Sequence, residues 1–575
     1  MKYVIKYLKE YRLRMEFGLI IKIIGTMMDL VLPYLLSYII DSVIPAKDLK
    51  MIILLGLIMI ICSVIGFLGS VYANQLASGV AKLVTRALRH DLFVKIKELS
   101  CSELDEITIP TLVSRMTSDT YNVHHMVGVM QRLGVRAPIL LIGGIAVTLI
   151  LDAKLTLILL AVLPIIVIVT YFISKTGIGL FKDVQNAVDG LVRVIRENAT
   201  GVRVIKALGK EDAEKERFEN VNKTLIKAEE KSEKRMATLS PIINFVLNAG
   251  LVFVIVIGAV RVNNGVLAPG KILAFTTYFT IILNAMLSIT RLFIIYSKAN
   301  ASAIRIAEIL DKPRVNKNNE ETLKRIKTSD DYITFEDVTF SYHKKYNNVS
   351  NISFSIKKRE TLGIIGATGS GKSTIMQLLM RFYEADSGNI YVDGINIKNI
   401  SKENYHKLFG VVFQNDMIFS DTIYENIAMY RDIPLEQIKK AAYAASIDDF
   451  IETLPDKYDT LLNAKGTNLS GGQKLRILIA RSLCNNPNIL ILDDASSALD
   501  YKTDATIRNR IKEMYQDTTM IVIAQRVSSV MNADKIVLLE EGEIIGYGTH
   551  QELFHKSLVY QEIYKLQMGV TDDAN

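Results

Sequence analysis

The 575-residue sequence has no tryptophan, only three cysteines and few aromatic residues in its apolar stretches. Cys62, Cys101 and Cys484 are too few and too scattered for a disulfide framework, and their spacing fits no metal-ligand pattern. This excludes a disulfide-stapled secreted domain and suits a cytosol-facing protein. Residues 1–12 lack the short apolar core and small-residue cleavage site of a signal peptide. They are amphipathic and charged, and read as a helix at the cytoplasmic membrane face. Charge is sparse before residue 300 except in certain stretches, and dense after it. Half of the residues are apolar and 22% are charged, which is odd for one globular domain and natural for two domains of different kinds.

Long apolar runs are what the first half has in abundance. A spanning helix needs about 20 mostly apolar residues. Five charge-free runs occur, at 51–81, 137–151, 155–174, 236–260 and 272–290, and a sixth segment, 17–40, carries only Lys22 and Asp29. The run at 137–151 extends upstream past Arg132 and Arg136. Six spans follow, within a membrane domain over 1–310. The stretches 82–125 and 175–235 are long and hold six and fourteen Lys and Arg residues. The positive-inside rule then puts those stretches and both termini in the cytoplasm. The basic excess is therefore a membrane-orientation signal, and no nucleic-acid partner is expected. Apolar residues recur at helical spacing over 191–206 and 214–235, so the spanning helices are predicted to continue into the cytoplasm. Breaks near 100–110 and 209–215 predict small transverse helices able to touch another domain. Ionisable residues in spans are functional candidates by default, here Lys22, Asp29, Arg132, Arg136 and Arg291. Ion pairing between helices and a place in a substrate cavity both remain open for them.

The pattern changes after a polar linker at 311–331, opening a second domain at 332–575. An apolar strand at 361–365 runs into Gly-Ala-Thr-Gly-Ser-Gly-Lys-Ser at 366–373, and a helix follows. Strand, glycine-rich loop and helix are the context of a phosphate-binding loop. Around Gly366, Gly369, Ser370 and Gly371 successive backbone N–H groups can point at phosphate oxygens. The helix opening at Ser373 and Thr374 adds positive potential. Lys372 would neutralise the β- and γ-phosphates, and Ser373 would ligate Mg²⁺. A four-residue apolar strand at 489–492 ends in Asp493-Asp494, where Asp493 can hold the Mg²⁺ shell opposite the loop. Leu-Ser-Gly-Gly-Gln at 469–473 precedes another helix. It presents the amides of Ser470, Gly471, Gly472 and Gln473, suited to a further γ-phosphate. Tyr342, at a strand end before a polar loop, is a candidate for stacking on adenine.

With these motifs in this order, nearly the whole chain resembles a half-size ABC exporter, six spans followed by one nucleotide-binding domain. The resemblance implies a six-helix membrane bundle with long cytoplasmic extensions, fused to an α/β P-loop ATPase domain and working as a dimer with ATP and Mg²⁺. It assigns Tyr342 to adenine stacking, 366–373 to the Walker A loop and Asp493 to magnesium. Ser470–Gln473 become the signature, and 497–500, ending in Asp500, the loop called the D-loop. Gln414, in Val-Val-Phe-Gln-Asn, becomes the glutamine that couples nucleotide and metal to the membrane helices. Two catalytic positions depart from the family. Asp494 stands where the family carries a glutamate base, and Gln525 where it carries a histidine on the γ-phosphate. The shorter carboxylate loses reach and the glutamine has no positive charge, so this site is expected to bind ATP and hydrolyse it poorly. Beside an intact signature, that combination implies the degenerate-site half of a bacterial heterodimeric multidrug exporter. Its partner would be a catalytically competent chain, its home the cell membrane and its cargo hydrophobic or amphipathic compounds. A regulatory ATP-binding subunit and a slow homodimeric lipid or peptide exporter remain the alternatives.

Overall fold

The computed structural model describes residues 1–313, 331–342, 344–414, 416–495 and 498–568. The chain forms two compact units, Met1–Lys97 with Pro110–Lys312, and Glu98–Ile109 with Pro313–Asn575. Most of the linker expected at 311–331, namely 314–330, lies outside the described residues.

The first unit is helical. Its elements are α1 (Lys2–Lys9), α2 (Arg12–Tyr38), α3 (Leu49–Glu98), then after the short α4 (Cys101–Ile107) come α5 (Ile109–Ser114), α6 (Thr120–Leu151), α7 (Ala153–Ala207), α8 (Glu211–Ala237), α9 (Leu239–Asn263) and α10 (Pro269–Leu310). Among the described residues, six stretches are long and apolar enough to cross a membrane: Arg12–Val43, Leu49–Glu98, Ile109–Leu151, Ala153–Ile173, Glu211–Asn263 and Pro269–Leu310. The six expected spans are thus present. On α3 the small residues Ala73, Ala77 and Ala81 are buried, while Ile53, Leu57, Ile60, Val64, Phe67 and Leu68 are exposed. That inversion suits a hydrocarbon solvent, where helices associate through close packing at small residues. Gly25 of α2 and Gly66 of α3 show it directly, since a Cβ on Gly25 would lie 3.3 Å from the Gly66 carbonyl oxygen.

The charged stretches at 191–206 and 214–235 are helical, as their spacing predicted. α7 runs unbroken to Ala207, and α8 begins at Glu211. The tip between them differs from the expected transverse helix. It is a short turn through Gly209, whose φ of +58° reverses the chain in too few residues for a helix of its own. The other tip does carry a short helix, α4. Ser100 caps it, its Oγ accepting from Glu103 N at 3.3 Å while the Glu103 carboxylate accepts from Ser100 N at 2.9 Å. α4 belongs to the second unit, where its Asp105 carboxylate accepts from the Tyr383 hydroxyl. At the N-terminus, α1 packs its apolar face on its own unit. Val4 and Tyr7 are buried, Tyr7 Oη donates to Asp91 Oδ2 at 2.6 Å, and Tyr3 Oη donates to the Asp311 carboxylate.

The second unit holds two sheets. β1 (Asp331–Phe340), β2 (Val349–Lys357), β4 (Ser387–Val392) and β5 (Ile395–Asn396) form an antiparallel sheet in the order β2-β1-β4-β5. β3 (Thr361–Gly366), β6 (Phe409–Val412), β7 (Ile489–Asp493), β8 (Thr519–Ala524), β9 (Lys535–Glu540) and β10 (Glu543–Gly548) form the other, ordered β10-β9-β3-β8-β7-β6. Within it β9, β3, β8, β7 and β6 are parallel. All five residues of β7 are buried, as a parallel strand covered on both faces requires. The helices are α11 (Lys372–Leu379), α12 (Lys402–His406), α13 (Ile423–Ala428), α14 (Leu435–Ala444), α15 (Asp448–Thr453), α16 (Gly471–Leu483), α17 (Tyr501–Met514), α18 (His550–Lys556) and α19 (Leu558–Met568).

Candidate functional site

Parallel strands β3, β8, β7 and β6 are neighbours, so their C-terminal ends open on one edge of the sheet. Ligands of open α/β sheets bind at such an edge. Here the edge carries the glycine-rich loop after β3, Gln525 after β8, Asp493-Asp494 at the end of β7 and Gln414 just past β6. Gly369, Gly371, Lys372, Ser373, Thr374, Gln414, Asp493, Asp494 and Gln525 line one cavity of about 250 Å³, joined by Asn348 and Thr368.

The loop is built tightly. Gly371 has φ +96°, and a Cβ there would lie 2.7 Å from Val349 Cγ1 and 2.9 Å from Asn348 O. Only glycine fits a left-handed turn with so little room. The Lys372 ammonium folds back over the loop and donates to Gly366 O at 2.8 Å and Ala367 O at 2.7 Å. Burial pushes its pKa down, while the nearby Asp493 and Asp494 pull the other way. The Ser370 hydroxyl is buried and has no hydrogen-bond partner among the described residues. A ring of backbone amides, a lysine and an unspent buried hydroxyl is a donor set that fits phosphate.

The acidic side fits a hard cation equally well. Ser373 Oγ lies 3.4 Å from Asp493 Oδ2. Burial, and then the like charge of Asp494, raise the Asp493 carboxyl above its ordinary pKa. Oxygen donors that strain against their own charge are what Mg²⁺ relieves. Asp494 itself has φ +49°, and its N–H donates to Ile523 O of β8 at 2.9 Å. Its backbone is therefore tied to the strand that carries Gln525.

Gln525 is exposed at the cavity mouth. Its peptide is held by a residue that sequence reasoning missed. Gln567, on α19, donates through Nε2 to Gln525 O at 2.9 Å and accepts through Oε1 from Val527 N at 2.7 Å. A lone glutamine in a C-terminal helix gives no sequence signal, because the clamp exists only once α19 docks beside β8.

The remaining candidates stand outside this cavity. The Tyr342 hydroxyl lies 3.4 Å from Thr374 Oγ1 and also donates to Gln377, both on α11. Its ring sits edge-on to Phe340 and Tyr383, with centroids 4.9 and 5.0 Å away. Ser470 caps α16, its Oγ accepting from Gln473 N at 3.2 Å while Gln473 Oε1 accepts from Ser470 N at 2.8 Å. Leu-Ser-Gly-Gly-Gln is thus a capping box that leaves Ser470 and Gly471 exposed. Asp500 caps α17 by accepting from Thr503 N at 2.9 Å and is likewise exposed. Ser497 lies outside the described residues.

Replacing Lys372 by Ala is expected to weaken nucleotide binding by roughly ten- to a hundredfold, the worth of one charge-assisted hydrogen-bonding group. Equilibrium binding of a fluorescent ATP analogue with Mg²⁺ to the purified chain measures it. Unchanged affinity would remove Lys372 from the phosphate site.

A phosphate-binding sheet edge and six apolar spans in one chain define an ATP-binding membrane transporter of half size. Comparison with known proteins agrees. The family described as ABC transporter transmembrane region matches residues 15–286, and that described as ABC transporter matches 349–497. The chain is 35% identical to the uncharacterized ABC transporter ATP-binding protein YfiB of Bacillus subtilis, over 99% of each. It is 31% identical to an uncharacterized ABC transporter ATP-binding protein of Mycobacterium tuberculosis, over 97% of this chain and 96% of the relative. A solved structure of a bacterial Atm1-family ABC exporter with ATP bound superposes with a TM-score of 0.81 at 24% identity, covering 98% of this chain and 99% of that one. That likeness speaks for the fold alone. The chain belongs to the ABC transporter family, as a half-transporter with one membrane region and one ATP-binding domain.

Proposed function

We propose that this chain is the degenerate-site subunit of a heterodimeric ATP-driven efflux pump for hydrophobic or amphipathic compounds. One observation carries the reading. Asp494 and Gln525 line one cavity with Gly369, Gly371, Lys372, Ser373, Gln414 and Asp493. In this reading the loop amides, Lys372 and Ser370 hold the phosphates, and Tyr342 lies against adenine. Ser373, Asp493 and Gln414 hold Mg²⁺, which neutralises phosphate charge when bound. Asp494 falls short of the attacking water by roughly the length of a methylene, and a misplacement of that size costs about a hundredfold. Gln525 offers a hydrogen bond without positive charge. The exposed Ser470, Gly471 and Asp500 are free to complete a competent site on a partner chain. The density of Lys and Arg in the long helical extensions supports a cytoplasmic nucleotide domain and cytoplasmic termini.

The test is Mg²⁺-dependent ATP turnover of the chain purified alone, and again co-expressed with a second half-transporter carrying glutamate and histidine at the two positions. The expected result is near silence alone and turnover in the pair. Brisk hydrolysis by this chain alone would overturn the reading.

A further inference from the structure

Lys22 and Asp29 on α2, Arg132 and Arg136 on α6 and Arg291 on α10 lie at neighbouring levels of their helices. Lys22 on α2 is buried, and its ammonium donates to Ser70 Oγ at 2.8 Å and Asn74 Oδ1 at 3.2 Å, both neutral oxygens of α3. Two turns on, Asp29 pairs with Arg136 of α6 at 3.1 Å, and both side chains are partly exposed. Arg132, one turn before Arg136, donates through Nε to Gly128 O at 3.1 Å. Asp29, Arg132 and Arg136 all lie within electrostatic reach of Lys22. α6 and α10 run antiparallel, with Asn122 bonded to Ser302 and Gly144 facing Ile282, which sets Arg291 level with Arg132 and Arg136. Arg291 is exposed. Among the described residues, no carboxylate pairs with Lys22, Arg132 or Arg291.

Four cations and one carboxylate thus share one slab of otherwise apolar helix segments. Holding helices together accounts for the Lys22 hydrogen bonds and the Asp29–Arg136 pair. It leaves the charge of Arg132 and Arg291 in excess. A guanidinium is too costly against lipid tails, so the half-buried Arg132 and Arg136 and the exposed Arg291 face a cavity or another chain at membrane depth. Val135, one turn after Arg132, and Ile139 and Leu140, one turn after Arg136, are apolar and partly exposed on the same side of α6. Fixed positive charge beside apolar wall is complementary to an anionic group on an apolar body.

We propose that this cluster binds the anionic headgroup of an amphiphile, a phosphate or carboxylate on an apolar chain, through the guanidiniums of Arg132 and Arg136. The proposal rests on the reading of this chain as an exporter of amphipathic compounds. Lys22 and Arg291 supply background potential, and Asp29 competes with the headgroup for Arg136.

The probe is dodecyl phosphate, titrated into the full chain in phosphatidylcholine nanodiscs without nucleotide, with dodecanol and inorganic phosphate as parallel probes. Because no ATP turnover is read, failure here is distinct from failure of the heterodimer reading. Dodecyl phosphate should bind at least about tenfold tighter than either control, and Arg132→Gln or Arg136→Gln should each lose roughly tenfold. Asp29→Asn frees Arg136 and should tighten binding several-fold, a gain that misfolding cannot imitate. Nanodiscs containing phosphatidylglycerol distinguish the source. Competition from that lipid assigns the site to a membrane lipid, and its absence assigns it to a free amphiphile. Equal binding of dodecanol or of inorganic phosphate would overturn the proposal, as would weaker binding by the Asp29→Asn variant.

Discussion

Installing Asp494→Glu and Gln525→His together is expected to raise ATP turnover of this chain, purified alone, by roughly a hundredfold. A positioned base contributes about 10²- to 10⁴-fold, and an ångström of misplacement forfeits about a hundredfold of it. The backbone at both positions is already set. Asp494 N–H is anchored to Ile523 O at 2.9 Å, and the Gln525 carbonyl is anchored to Gln567 at 2.9 Å. The new glutamate therefore starts from a fixed Cα and gains only the missing methylene, and the imidazole starts from a clamped peptide. The left-handed backbone at 494, with φ +49°, suits aspartate better than glutamate and costs about 1–2 kcal/mol for the longer side chain. That cost falls on stability more than on chemistry, because Lys372, Ser373 and Asp493 are untouched. Phosphate release and ATP affinity, measured side by side, check the result. A double variant that binds ATP as before and stays silent would show that these two residues are not what limits the site.

Much of this site was legible because its chemistry is local. The loop at 366–373 needs a strand before it and a helix after it, and all three are written in consecutive residues. The long helical extensions were legible for the same reason, since apolar spacing persists through the charges of α7 and α8. What sequence could not provide was anything set by tertiary packing. Gln567 is an ordinary helical glutamine until α19 lies beside β8. The transverse helix expected at 209–215 was a plausible use of a helix break. Gly209 instead closes the hairpin in a short turn, leaving no residues to form one. Ser470 and Gln473 were read as amides at a helix start. Their reciprocal capping was present in the Ser-x-x-Gln spacing, and the functional reading of the motif obscured it. The level of Arg291 relative to Arg132 was invisible until the register of α10 on α6 was known.

Ser470→Ala in this chain is expected to lower turnover of the assembled pair by about a hundredfold or more, while ATP binding at the 366–373 loop stays as it was. The Ser470 hydroxyl spends its acceptor on Gln473 N at 3.2 Å, which leaves its proton free to point away from α16. A donor fixed at a helix start and aimed at developing phosphate charge is worth about 10²- to 10³-fold. Losing the cap costs only about 1 kcal/mol. α16 survives that loss, because Ile477, Leu478, Ile479, Ala480 and Leu483 anchor it in the core. A large fall in turnover with a melting temperature lowered by no more than a few degrees would therefore reflect chemistry and not folding. The sign of the effect follows from which chain owns the competent site. If this chain's signature serves the partner's nucleotide, damage here silences a site whose Walker residues are intact and lie on another chain. If hydrolysis proceeds instead at the loop of this chain, the same substitution leaves turnover nearly whole, and the degenerate-site reading fails with it.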